Sequence, residues 1–269
     1  MVREDRTRLS LENLVESENL GLEVLHPGGL EITGELAALC NVGKQTQLLD
    51  VASGTGESAC HLAQSFGCRV VGVDASDYMI ERATRKAAAR SLNVEFKQGD
   101  AHSLPFADHT FEVVISECTT CILDKERAIQ EMIRVAKPGG YVGIHDICWK
   151  ETTPASLKSK LVQIEGENPE TLAGWQDLFE QAGMIDVVTV DRCDLIPAWT
   201  SDIKKQLGLA GQLKIFLKVI RIWGVKGFQN IWQSQQIFQS EHTGYGLIAG
   251  RKPGSVEAML DVTLAGLKR

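Results

Sequence analysis

The sequence predicts a doubly wound α/β fold, a mostly parallel sheet with helices on both faces. Three observations predict it. Leu48-Leu49-Asp50-Val51 reads as a buried strand running into the glycine turn Ala52-Ser53-Gly54-Thr55-Gly56, followed by a helix with Ala59, Leu62, Ala63 and Phe66 on one face. A second strand, Arg69 to Val73, ends in an acid, Asp74. Further short strands (Val94–Lys97, Phe111–Ser116, Tyr141–Ile147, Ile185–Arg192 and Tyr245–Arg251) are separated by helical segments or loops.

The glycine turn is the first element to justify. Glycine permits backbone angles closed to other residues and lets a ligand touch the main chain. Free N–H groups at the following helix start complete a nucleotide-sized cradle. Gly54-x-Gly56-x-x-Ala59 also satisfies the dinucleotide fingerprint, with alanine in third place. Asp74 stands where an acid would accept hydrogen bonds from both ribose hydroxyls. Asp50 separates two ligands. A carboxylate at the end of the first strand repels a pyrophosphate by on the order of 1–4 kcal/mol outside a dry core. It favours S-adenosylmethionine, which carries an ammonium and a sulfonium and no phosphate.

Asp50-Val-Ala-Ser-Gly54-Thr-Gly56, Asp74-Ala-Ser, Gly99-Asp100-Ala101 and Lys137-Pro138-Gly139-Gly140 occur in the order found in class I S-adenosylmethionine-dependent methyltransferases. The chain resembles that family over roughly residues 25–192. The resemblance implies a Rossmann-like, doubly wound seven-stranded sheet whose last strand is antiparallel. It implies S-adenosylmethionine as cofactor and S-adenosylhomocysteine as product. Asp50, Ala52, Ser53, Gly54, Gly56, Asp74, Ala75, Met79, Asp100, Ala101, His102 and Glu117 are then the cofactor-binding candidates. Met79 would pack on the adenine face, Asp100 would accept from the adenine amine, and the Ala101 N–H would donate to a ring nitrogen. Ala52 stands where many members have glycine, a change expected to be mild. No resident metal is expected.

Composition sets the wider bounds. The chain has 269 residues, 43% of them hydrophobic and 23% charged, enough for one large domain or a domain with an insertion. The formal net charge of −7 argues against general nucleic-acid binding. The charged start has no apolar signal core, and the seven cysteines follow no disulfide framework, so a cytoplasmic location is expected.

In chain order, a short helix is expected over Ser10–Asn19, capped by Ser10 or Thr7. The segment Leu25-His26-Pro27-Gly28-Gly29-Leu30-Glu31-Ile32-Thr33 carries a Pro-Gly-Gly loop marker. It is similar to the stretch before the first motif in phosphoethanolamine N-methyltransferases, where it folds over the methionine end of the cofactor. That likeness makes His26 to Gly29 candidates for covering the cofactor, with a plain linker as the alternative. A helix Glu35–Cys40 precedes the first strand. Ser76, Asp124 and Thr171 are the expected caps of helices Asp77–Arg90, Lys125–Ala136 and Thr171–Ala182, and Pro154–Ile164 is a further helix. Residues 255–269 read as an amphipathic helix.

The fourth strand runs into Ser116-Glu117-Cys118-Thr119-Thr120-Cys121, and the fifth brings His145, Asp146, Cys148 and Trp149 to the same sheet edge, where ligands bind in open α/β sheets. His145, Glu117, Asp146 and Cys118 are the catalytic candidates, the first three as general base. Cys118, Cys121 and Cys148 raise a second function, since thiolates suit soft ions such as trivalent arsenic. Ile115–Lys125 is similar to the corresponding stretch of arsenite methyltransferases, although the N-terminal cysteine and cysteine-bearing C-terminal domain of that family have no clear counterpart. A third reading is a non-catalytic cofactor- or partner-binding domain.

Between strands six and seven lies a long insertion. The expected division is an N-terminal segment 1–34, a core of 35–197 with 244–269, and a helical cap 198–243. Leu209, Leu213, Phe216, Leu217, Ile220 and Trp223 recur at helical spacing, and six Lys/Arg stand against two acids. A cap packing its apolar stripe on the body is expected. The rivals are a lid over a lipophilic or anionic small-molecule acceptor, and weak contact of the basic 204–226 helix with an anionic membrane surface.

Overall fold

The computed structural model describes residues 26–254. The expected helices at Ser10–Asn19 and over 255–269 lie outside the described residues. Seven strands form one sheet: β1 (Gln47–Val51), β2 (Arg69–Asp74), β3 (Val94–Gln98), β4 (Phe111–Glu117), β5 (Ala136–Trp149), β6 (Ile185–Asp191) and β7 (Thr243–Arg251). Their order is β3-β2-β1-β4-β5-β7-β6. β1 to β5 pair in parallel, and β7 runs antiparallel to both β5 and β6. The direction of winding reverses between β1 and β4, which opens the ligand crevice of such sheets there.

Both faces of the sheet are covered, so its central strands are apolar on both sides. Leu48, Val70, Val113 and Ile115 pack into one layer with Ile32 and Leu36 of α1 (Gly29–Leu39). Leu49, Val51, Val73 and Val114 pack into the opposite layer. There they meet Ile129 and Met132 of α4 (Lys125–Val135) and Trp175 and Phe179 of α6 (Leu172–Gln181). The remaining helices are α2 (Glu57–Phe66), α3 (Asp77–Ala89), α5 (Ala155–Ile164) and α7 (Ile196–Phe238).

The three expected caps form. Ser76 accepts from the Met79 N–H, Asp124 from Arg127 and Thr171 from Gly174. Two boundaries differ. The Pro-Gly-Gly segment starts α1 six residues before the expected Glu35. Gly28 and Gly29 take φ of 80° and 55°, and a Cβ on Gly28 would come within 2.7 Å of Leu195, so glycine turns the chain into the helix where space is short. β5 begins at Ala136 and absorbs Lys137-Pro138-Gly139-Gly140. Gly139 has φ 79°, the β4–β5 register shifts between Phe111 and Val113, and the Gly139 N–H bonds the Lys252 carbonyl, as at a bulge.

The insertion forms α7, broken by non-helical backbone at Gly208 and Gly224. Ile196, Ile237 and Phe238 pack into the α1-side core layer, and Val219 and Ser234 are also buried. Much of the stripe expected to pack on the body faces solvent instead: Leu209, Leu213 and Leu217 are 87%, 57% and 58% exposed and Phe216 is also exposed, while Ile220 and Trp223 are half-buried. The two glycine breaks reset the helical phase, so spacing alone no longer says which face is covered.

Candidate active site

The glycine turn is built from backbone strain and one acid. Ala52, Gly54 and Gly56 take φ of 61°, 50° and 74°. For Ala52 that left-handed conformation costs about 1–2 kcal/mol, so its substitution for glycine is less mild than expected. A Cβ on Gly54 would meet nothing within 4 Å, which leaves its backbone open to a ligand. Gly56 is needed for packing, since a Cβ there would lie 2.6 Å from Phe96 and 2.7 Å from Ala83. Asp74 latches the turn, its Oδ2 accepting from Gly54 N–H at 2.8 Å and its Oδ1 from Ser76 N–H at 2.9 Å. The Ser53 N–H bonds the Val73 carbonyl at 2.9 Å.

The other cofactor candidates fall around this turn. Ala75 is exposed, and Met79 is buried in the first turn of α3. Asp100 Oδ1 accepts from both the backbone N–H and Nδ1 of His102 at 2.8 Å, and His102 Nε2 accepts from the Asp124 N–H. His102 is thus tied into the turn after β3 rather than aimed outward. Ala101 is half-buried against the apolar layer that holds Leu104. Gly29 lies at the first residue of α1, three positions after His26.

Asp50 is 2% exposed, and its Oδ2 has no hydrogen-bond partner. Burial, then the charges of Glu117 and Asp74, push its carboxyl well above the ordinary range. Ser53 Oγ and Ser116 Oγ are likewise buried and unpartnered. A buried acceptor without a donor destabilises the chain unless a ligand supplies the donor, and a cation there would favour the charged form that burial, Glu117 and Asp74 disfavour.

Glu117 and His145 are paired residues of the β4–β5 ladder, and His26 reaches them from the loop before α1. Their contacts are His26 Nε2 to Glu117 Oε2 at 3.2 Å and His145 Nε2 to Glu117 Oε1 at 3.0 Å. The two imidazole centroids lie 4.6 Å apart. Burial alone would raise the Glu117 carboxyl, but His145 and His26 more than offset it and hold it well below the usual range. Burial lowers His145, against the pull of Glu117. The Tyr245 hydroxyl reaches His145 Nδ1 and stands 3.3 Å from Cys118 Sγ. Cys118 itself takes a left-handed φ of 51° at the strand end. Tyr245 escaped sequence reading because it lies 100 residues from His145. Only the pairing of β5 with β7 brings the two together.

Two sequence-level assignments change here. Asp146 is no general base. It is fully buried, and its oxygens accept from the Cys121 and Ile147 N–H groups at 2.8 Å, fixing the turn Thr120–Ile122. The three cysteines do not gather. Cys118 packs with the α1 layer, whereas Cys121 and Cys148 are buried in the opposite layer, with burial raising all three thiols. Residues three apart after a strand end, and one on the neighbouring strand, fell on different faces of the sheet.

Comparison with known proteins bears on the family and the fold. A family model described as "Methyltransferase domain" matches residues 43–204. Phosphoethanolamine N-methyltransferase 1 of Arabidopsis thaliana is 33% identical over 168 residues, covering 62% of this chain and 34% of that protein. The chain thus spans about a third of the plant relatives' length. An uncharacterised Haemophilus influenzae protein is 32% identical over 63% of this chain and 70% of its own. Among solved structures, Haemonchus contortus phosphoethanolamine N-methyltransferase 2, in complex with phosphomonomethylethanolamine and S-adenosylhomocysteine, is similar with a TM-score of 0.72 at 20% identity. It covers 91% of this chain and 58% of that one. The [4+2]-cyclase SpnF is similar with a TM-score of 0.68 at 21% identity over 84% and 82%. At these identities the structures show the fold alone, while the family model spans most of the chain. The chain belongs to the class I S-adenosylmethionine-dependent methyltransferases.

Proposed function

We propose that this protein binds S-adenosylmethionine in the β1–β4 crevice and directs its methyl group onto a small or lipophilic acceptor held beneath the inserted helix. The observation that carries this reading is the buried, unpartnered Asp50 Oδ2 beside an open glycine turn, a site that asks for a cationic nucleoside. When bound, the cofactor supplies an electrophilic methyl group on sulfur. Asp74 would hold the ribose, Asp100 and Ala101 the adenine edge, and Asp50 the positive end. The protein need only align acceptor, methyl and sulfur and exclude water. Asp50 argues against an NAD-type dinucleotide in the same crevice.

Calorimetry with S-adenosylmethionine, S-adenosylhomocysteine and NAD tests this. Only the first two should bind, and Asp74→Ala should weaken them by about 1–3 kcal/mol through loss of a charged contact. Preferential NAD binding, or unchanged affinity in the variant, sinks the assignment. Phosphoethanolamine is the first acceptor to assay, because the plant and nematode relatives are named for it. Binding of cofactor with no acceptor turned over in a broad screen would favour the non-catalytic reading; SpnF illustrates that this fold hosts other chemistry. Cofactor consumption dependent on arsenite and lost in Cys118→Ser would restore the arsenite reading, which the scattered cysteines weaken.

For the 198–243 segment we favour a lid with an outward apolar face. No helix among the described residues is long and apolar enough to cross a membrane. The exposed Leu209, Leu213 and Leu217 lie on a segment rich in lysine, which suits docking on an anionic surface. Binding to phosphatidylserine vesicles at low salt, lost at high salt, supports that contact; no binding at low salt ends it.

A further inference from the structure

The cluster of His26, Glu117 and His145 holds an unmet demand. All three side chains are more than nine-tenths buried. Each imidazole Nε2 stands 3.0–3.2 Å from a Glu117 oxygen, yet His26 Nε2, His145 Nε2 and Glu117 Oε1 have no hydrogen-bond partner. The contacts are at ion-pair distance, but none of these three atoms makes a hydrogen bond of good geometry. Three such atoms left together in a buried site are costly. A shared cation would satisfy all three at once.

The spacing suits one. Donors bound at ~2.0–2.2 Å in a tetrahedral shell stand roughly 3.2–3.5 Å from one another. One donor from each residue lies within 4.8 Å of the others. The far side of each imidazole is also occupied as metal-binding histidines require, by an outer partner that fixes the ring. His145 Nδ1 meets the Tyr245 hydroxyl, and His26 Nδ1 lies 3.4 Å from the Pro27 carbonyl.

We infer that His26, Glu117 and His145 form a site for one divalent first-row metal ion, zinc being the ion this donor set suits. Two imidazoles and a carboxylate are a borderline set that zinc accepts, and three protein donors leave a fourth position open. Resting on the methyltransferase reading, that open position takes an oxygen of the acceptor, which makes the acceptor a hydroxyl- or carboxylate-bearing small molecule. Tyr245 is a positioning residue acting through His145.

The test uses the full chain, stripped with chelator and dialysed against zinc alone. One equivalent should bind. His26→Ala should lower the affinity at least a hundredfold, His26→Asp should restore part of it, and Tyr245→Phe should cost about tenfold. The cobalt-loaded wild-type protein should show visible d–d bands without a near-ultraviolet thiolate-to-cobalt band. Absence of stoichiometric metal in the folded wild-type protein, a thiolate band, or full affinity in His26→Ala overturns the site. Calorimetry of S-adenosylmethionine on the metal-free protein runs beside it. Loss there sinks the methyltransferase reading and spares the metal site, and loss of zinc does the reverse.

Discussion

The crevice and the inserted helix break the inside-out rule in opposite directions. In the crevice, polar atoms such as Asp50 Oδ2, Ser116 Oγ and Glu117 Oε1 are buried without partners. On α7, large apolar side chains such as Leu209, Leu213 and Trp232 are left in water. Each is unfavourable for the isolated chain. An unmet buried acceptor asks for a polar ligand, and an uncovered apolar face asks for an apolar one.

The comparison can be broken most sharply on α7 itself. Ile237 is on its covered face, and Ile237→Ala should cost about 2–5 kcal/mol in urea unfolding by leaving a cavity in the core. A loss under about 1 kcal/mol would mean that the helix is only loosely docked.

Next comes a buried acid whose needs are met by the fold. Burial holds the Asp146 carboxyl up at about 6, against an ordinary 3.8. Because the folded-state value is the higher one, its favourable contribution is complete below the unfolded value and is lost as pH rises through 6. The difference corresponds to about 3 kcal/mol. Unfolding of wild type and Asp146→Asn from pH 4 to pH 7 should show the gap between them moving in the variant's favour by about that much. A constant gap would show that Asp146 does not titrate in this range.

Asp50 has unmet needs, and its response should be divided. Asp50→Asn removes a charge that burial, Glu117 and Asp74 all disfavour. The cofactor-free variant should melt higher at neutral pH, while its affinity for S-adenosylmethionine falls by about 1.5–3 kcal/mol. A variant that binds as tightly as wild type would remove Asp50 from the site.

The smallest effect is expected on the exposed face. Leu213→Ser should change stability by less than about 0.5 kcal/mol, since no packing is lost. A cost above 1 kcal/mol would show that something covers this face in solution, and would erase the contrast with Ile237.

The glycine turn and the three helix caps were legible because they are local. Each needs particular residue types at fixed short spacing, and backbone geometry then dictates the contact. The positions of β1 to β5 along the chain followed for the same reason, since strand and helix periods differ, whereas their order in the sheet came with the family resemblance. What escaped was set by distant neighbours. Whether Leu213 is core or surface depends on what the breaks at Gly208 and Gly224 turn toward the body. Whether Asp146 is a base or a strut depends on the Cys121 and Ile147 amides.

By itself, the sequence determined a doubly wound sheet with a glycine turn and acids at the ends of its first two strands, because propensity, glycine freedom and charge act within a few residues. Tertiary structure alone decided that His26, Glu117, His145 and Tyr245 meet while Cys118, Cys121 and Cys148 part. Strand pairing and sheet face assign those neighbours, and neither is written in spacing along the chain.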